Sequence, residues 1–167
     1  MSGAAVSIRP MTADDAGAVL AIYAEGIATG IATFEVSAPA WTDWSAGHLA
    51  SCRFVAELGG EVAGWAALTP VSGRCVYRGV AEVSVYVAGG ARGRGVGREL
   101  MAALVPASER EGLWTLQAGI FAENAASLAL HRACGFRDVG RRERLGALGG
   151  IWHDVLLLER RSAIVGA

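Results

Sequence analysis

The segment Arg92-Gly93-Arg94-Gly95-Val96-Gly97 sets three glycines and two arginines between the apolar run Val83-Ser84-Val85-Tyr86-Val87 and the stretch Arg98-Glu99-Leu100-Met101. A strand, a glycine-rich turn and a helix start in that order build an anion cradle. Consecutive backbone N–H groups converge at a helix N-terminus, where the macrodipole adds about half a positive charge. Glycine at 93, 95 and 97 lets the main chain close on a ligand without Cβ contacts, while Arg92 and Arg94 supply charge for phosphate oxygens. The spacing excludes two familiar phosphate motifs. A Walker A loop counted from Gly90 places Gly95 correctly but meets Val96 where lysine is required, and a dinucleotide fingerprint fails at Arg98 or at Leu100.

Glu82 is the second group with chemistry to offer. Strand alternation sends Glu82, Ser84 and Tyr86 to one face and Val83, Val85 and Val87 to the core. A carboxylate beside apolar walls is placed to take a proton, directly or through water. Of the three histidines, His48 lies among Trp44, Leu49 and Cys52 and reads as structural, which leaves His131 and His153. His153 adjoins Asp154, but neighbours on a strand point to opposite faces, so Asp154 is not expected to orient it.

The elements that must carry these residues follow from pattern. Val6 to Pro10 reads as a strand, and Thr12 with Asp15 as a capping box opening a helix whose stripe is Ala16, Val19, Tyr23 and Ile27. A loop from Gly30 to Pro39 leads to a second helix over Thr42 to Ala50. Arg53 to Leu58 and Glu61 to Pro70 form a hairpin about Gly59-Gly60, and Val80 to Val87 is the next strand. The helix after the glycine loop runs to about Gly112, with a kink expected at Pro106. Leu113 to Phe121 reads as a strand, Asn124 to Cys134 as a helix ended by Gly135, and Phe136 to Arg144 and Ile151 to Glu159 as two final strands. The expected fold class is α/β (α+β): a mixed, mostly antiparallel central sheet flanked by helices, in one domain over residues 1–167.

Composition narrows the function classes. A net charge of −1, with arginines scattered rather than striped, argues against a nucleic-acid surface and a polybasic membrane patch. Uncharged runs such as Val62 to Gly73 stop at about a dozen residues, short of the roughly 18 a membrane span needs. The start, Met1-Ser2-Gly3-Ala4-Ala5, shows no signal-peptide pattern, and Cys52, Cys75 and Cys134 are odd in number with no C-x-x-C pair, so free thiols in a reducing cytoplasm are expected.

The order of elements and the pattern Arg92-x-x-Gly95-x-Gly97 resemble the GNAT family of N-acetyltransferases. A second motif agrees: Asn124 to Phe136 resembles the family's N-x-x-(S/A)-x-x-(L/F)-(Y/H)-x-x-x-G-F helix. Thr33-Phe34-Glu35, Val76-Tyr77-Arg78, Glu82 with Ser84 to Val87, and Trp152-His153-Asp154-Val155 are similar to the phosphinothricin and methionine sulfoximine acetyltransferase subgroup. The resemblance implies acetyl-CoA as co-substrate and no metal. Its pantetheine arm would pair with Val85, Tyr86 and Val87, and its diphosphate would sit on residues 93–98, flanked by Arg92. Asn124 would bond the arm, cap its helix, or do both.

By the same resemblance Glu82 is the catalytic base, His153 a proton relay or a contact to the substrate's acid group, and His131 the group that protonates the departing thiolate. Phe34, Glu35, Arg74 and Tyr77 would line the acceptor pocket, with Arg74 taking a carboxylate. The implied reaction is direct acetyl transfer to the α-amine of a small amino-acid analogue by a cytoplasmic homodimer. A GNAT enzyme for another amine, such as a protein N-terminus, and a non-catalytic acyl-CoA-binding module are the other readings.

Overall fold

Glu61–Pro70 (β3) is the strand around which both cores form, and its composition explains why. Trp65 and Ala67 face one side of the sheet while Ala66 and Leu68 face the other, and all four are buried. Six further strands flank it in the computed structural model, which describes residues 3–167: Val6–Pro10 (β1), Phe54–Leu58 (β2), Val80–Val87 (β4), Thr115–Phe121 (β5), Arg137–Leu148 (β6) and Ile151–Arg161 (β7). Met1 and Ser2, the first residues of the segment read for a leader, lie outside the described residues. The spatial order is β1-β2-β3-β4-β5-β7-β6. Every pairing is antiparallel except β4 with β5.

Four helices cover the two faces: Ala16–Ala28 (α1), Trp41–Gly47 (α2), Val96–Arg110 (α3) and Ala125–Ala133 (α4). Val96, Leu100, Met101 and Leu104 of α3 enter the larger core with Ala56, Ala66, Leu68, Val83 and Leu158. Each large apolar side chain so buried contributes roughly 1.5–3 kcal/mol relative to exposure. The smaller core joins Val19 and Ile22 of α1 to Trp44, Val55 and Trp65. Here the buried stripe of α1 runs through Val19, Ile22 and Gly26, whereas the pattern pointed to Ala16 and Ile27, both half-buried. The reason is Tyr86: its ring stacks on Trp65 at 4.9 Å and lies so close to Gly26 that a Cβ there would meet it at 2.6 Å. Alternation placed Tyr86 on the face opposite the core, and that face carries a core of its own.

Other boundaries move by a few residues. Ala13–Asp15 is a 3₁₀ turn ahead of α1, and the Thr12 N–H donates to Asp15 Oδ2 at 2.8 Å. Asp15 also accepts both guanidinium arms of Arg9, which holds its carboxyl below the usual range. α2 ends at Gly47, where the His48 ring stacks on Trp44 at 4.0 Å and Nδ1–H donates to the Trp44 carbonyl. α3 continues through Pro106, although proline removes the helical donor for the Ala102 carbonyl. β6 and β7 are longer than the pattern suggested, because Gly149 and Gly150, both at positive φ, close a tight hairpin between them. No helix among the described residues is long and apolar enough to cross a membrane.

Candidate active site

The site originates in an interrupted pairing. β4 and β5 run parallel and pair only over Val80↔Thr115, Ala81↔Leu116 and Glu82↔Gln117. Beyond that point β4 stays with β3 as far as Val87, and β5 stays with β7 as far as Phe121, so the two strands part. The facing edges, residues 83–87 and 118–121, then border a cleft of about 1090 Å³. Unpaired backbone N–H and C=O groups along such an edge serve as a template for another extended, amide-bearing chain.

Glu82 stands at the fork. Its Oε2 is 3.5 Å from Gln117 Nε2, and its Oε1 lies 3.5 Å from where a Cβ on Gly119 would be. The carboxylate thus lies against the backbone of β5 at Gly119. Sequence reasoning missed Gln117 and Gly119, although a polar residue and a glycine inside the strand Thr115–Phe121 were a visible signal.

One end of the cleft is the glycine loop. Arg92, Gly93, Gly95, Val96, Gly97 and Arg98 border it, and Arg94 does not. Gly93 and Gly95 have φ of 74° and 83°, a left-handed conformation strained for other residues. Gly97 has a different reason to be glycine: a Cβ there would sit 2.9 Å from Leu130, at the close approach of α3 to α4. The Val96 side chain is buried in the larger core, so only its backbone is available to a ligand. Asn124 accepts the Ser127 N–H at 3.2 Å, which caps α4, and it also borders the cleft. The residues present fit acetyl-CoA, with an open strand edge for an amide-bearing arm and helix-start amides with two arginines for a diphosphate.

The other end is assembled from distant segments. Phe34 and Glu35, from the loop after α1, border it with Phe121, Arg142, Leu145 and Val155. Phe34 packs on Phe121 at 4.5 Å between ring centroids. His153 lies behind this pair rather than on the cleft wall. It is buried, stacked on Phe121 at 4.6 Å, with Nδ1 3.2 Å from Glu123 Oε1. Arg74 and Tyr77 are not brought to the cleft: both are exposed in the 3₁₀ turn ahead of β4, with the guanidinium over the tyrosine ring. Sequence reasoning missed Arg142 and Leu145: Leu145 lies beyond the expected strand end at Arg144, and Arg142 lies within that strand, where nothing local shows that a register shift between Arg142 and Gly146 interrupts the pairing beside it.

His131 borders the cleft from α4 and is buried. A carbonyl only accepts, so the 2.8 Å contact with the Ser127 carbonyl fixes the proton on Nδ1. Nε2 is thus the lone-pair nitrogen, and it is buried without a partner. Burial pushes the His131 pKa down, against the opposing pull of the Ser127 carbonyl.

A sheet forked after one parallel pair, with a glycine loop at one end of the fork and a carboxylate at its apex, is the framework of an acyl-CoA-dependent acyltransferase. A model of the Acetyltransferase (GNAT) family matches residues 22–136. The chain is 37% identical over 166 residues to the phosphinothricin N-acetyltransferase of Alcaligenes faecalis, covering 93% of this chain and 82% of that protein. It is 32% identical over 162 residues to the L-methionine sulfoximine/L-methionine sulfone acetyltransferase of Pseudomonas aeruginosa, covering 92% of each. The solved structure of a GNAT superfamily phosphinothricin acetyltransferase from Sinorhizobium meliloti, in complex with acetyl-CoA, matches with a TM-score of 0.84. It is 28% identical and the match covers 96% of this chain and 95% of that one. The chain belongs to the GNAT acetyltransferase family. It is an acetyl-CoA-dependent N-acetyltransferase.

Proposed function

We propose that the enzyme acetylates the α-amine of a small amino-acid analogue of the methionine sulfoximine, methionine sulfone or phosphinothricin kind. The observation that carries this reading is the apex of the fork, where Glu82 lies between the glycine-loop end and a compact aromatic pocket around Phe34 and Phe121. The relatives' activities on phosphinothricin and on methionine sulfoximine and sulfone support the same choice.

Acetyl-CoA, when bound, supplies an activated acetyl thioester. The chain's own residues do the rest. The open edge at Val85, Tyr86 and Val87 holds the extended arm through its backbone, and the amides from Gly93 to Arg98 with Arg92 hold the diphosphate. Fixing the thioester in this way lets a bound amine attack as if in an intramolecular reaction. Glu82 removes the amine proton directly or through one water, with Gln117 beside it to orient the carboxylate. A thiol of ordinary pKa near 8.5 departs tolerably as thiolate, so the reaction does not depend on a strong acid. His131, neutral and with its free lone pair on Nε2, serves as an acceptor rather than a proton donor. His153 backs the Phe121–Phe34 pair and shapes the acceptor pocket through it.

The reading includes one domain, a cytoplasmic setting and a homodimer, the last checked by light scattering. Thiol release from acetyl-CoA, measured with methionine sulfoximine, methionine sulfone, phosphinothricin and a short peptide, tests the function. Turnover of the first three well above the peptide is expected. Turnover of the peptide alone would assign the enzyme to protein N-termini, and no turnover with intact acetyl-CoA binding would make it a binding module.

A further inference from the structure

The acceptor end of the cleft holds one cation without an ion-pair partner among the described residues. Three arginines border the cleft, and two of them, Arg92 and Arg98, belong to the glycine loop. The third is Arg142, on the edge strand β6. Its neighbours are engaged: Arg137 pairs with Glu159, Arg132 with Asp138 and Arg141 with Asp154. Arg142 makes no ion pair and no side-chain hydrogen bond among the described residues.

Register explains its aim. Arg142 lies opposite Val155, and Gly146 lies opposite His153, so residues 143–145 of β6 face Asp154 alone across the hairpin. This is an enlarged bulge of three residues against one, the kind of irregularity that re-aims side chains beside a site. Arg144 within it is left-handed, with φ of 43°. Asp154 pins the bulge from both sides: the Arg144 N–H donates to Oδ1 at 2.8 Å, and Arg141 Nε donates to Oδ2 at 2.7 Å. By strict alternation from Gly146, Leu145 would face away from the cleft, yet it borders the cleft together with Arg142. Val155, opposite Arg142, reaches within 3.4 Å of the position a Cβ on Gly119 would take, and Glu82 Oε1 reaches within 3.5 Å of the same point. Arg142 thus extends from the strand pair that forms the pocket wall next to the proposed base.

We infer that Arg142, rather than Arg74, receives the carboxylate of the amino-acid acceptor, and that Asp154 is the positioning residue that holds the bulge aiming it. The inference rests on the amino-acid reading of the acceptor. A guanidinium donates to two carboxylate oxygens in a fixed fork, which would orient the α-amine as well as bind the molecule. The sequence Trp152-His153-Asp154 then divides its labour by face. His153 backs the aromatic wall, and Asp154 on the other side of the strand fixes the neighbouring one.

The test compares methionine sulfone with 3-(methylsulfonyl)propan-1-amine, the same molecule without its carboxylate, as kcat/KM for wild type, R142A, R142K, D154A and R74A. Wild type is expected to prefer the amino acid. R142A should lose about 30- to 300-fold on the amino acid, the scale of truncating one partner of a charge pair, and change less than about threefold on the plain amine. Its acetyl-CoA affinity by calorimetry should be unchanged. R142K should recover part of the loss, because lysine keeps the charge without the fork. D154A should lower the preference by a smaller factor, and R74A should keep it. Wild type with no preference for the carboxylate would overturn the amino-acid reading and this inference with it. Wild type with the preference, retained in R142A or lost in R74A instead, would overturn the inference alone. A D154A enzyme with the full preference would remove Asp154 from it.

Discussion

The two ends of the cleft are built on different principles. The glycine-loop end is one continuous segment, Arg92 to Arg98, that presents backbone amides at the start of α3, and its geometry depends on two residues held at positive φ. The acceptor end draws Phe34 from a loop, Glu82 from β4, Gln117 and Phe121 from β5, and Arg142 from β6, and it presents side chains. Binding by backbone is indifferent to most side-chain changes and intolerant of added Cβ atoms. Binding by side chains has the reverse sensitivity. Specificity for the acceptor is therefore free to vary while the co-substrate end is held fixed.

The substitution with the largest expected effect is at the apex the two ends share. E82Q should lower kcat by roughly 10²–10⁴-fold while acetyl-CoA binding stays as in wild type, because the amide cannot accept the proton. The loss should shrink as pH rises and more amine arrives already neutral, which a pH–rate profile reads. A uniform loss at every pH would make Glu82 a structural residue. Next comes the loop. G95V should raise the KM for acetyl-CoA by about 10- to 100-fold, since valine is strained at a φ of 83°. G97V should act differently, lowering thermal stability by about 1–3 kcal/mol as its side chain is driven into Leu130. Equal behaviour of the two variants would erase the distinction between a conformational and a packing glycine.

At the acceptor end F34A should raise the KM for the amine by about tenfold, the scale of a lost aromatic pair and its buried area, with the KM for acetyl-CoA unchanged. A matched rise in both constants would show that the ends are not independent. The smallest effect concerns His131. Its pKa is depressed by burial, so the folded protein resists a proton that the unfolded chain accepts. Stability from this group is complete above about pH 6.5 and is lost as pH falls towards the folded-state value. Melting temperature should thus fall between pH 7.5 and 5 more steeply in wild type than in H131Q. Parallel curves would mean that the ring is hydrated in solution.

Pattern located the strands and helices to within a few residues, because period and turn chemistry are local. Thr12 with Asp15, Gly59-Gly60 and Gly135 each fulfil a local rule. The stripe of α1 was displaced because alternation along β4 does not show that Tyr86 enters a second core against Gly26. The loop 92–98 and the capping of α4 by Asn124 were legible for the same reason as the helices: they are contiguous. The resemblance and the chemistry of a guanidinium point to Arg74 for the carboxylate, but the turn at Cys75–Tyr77 leaves it against Tyr77, off the cleft.

By itself the sequence determined the glycine loop, the glutamate on its strand and the mixed order of elements, since each is a rule about neighbours along the chain. Tertiary structure alone decided where β4 and β5 part, which face of His153 is covered, and that Arg142 from the far edge of the sheet borders the pocket. The pocket wall joins residues more than a hundred positions apart. Strand register and one bulge pinned by Asp154 set their meeting, and neither leaves a mark in local periodicity.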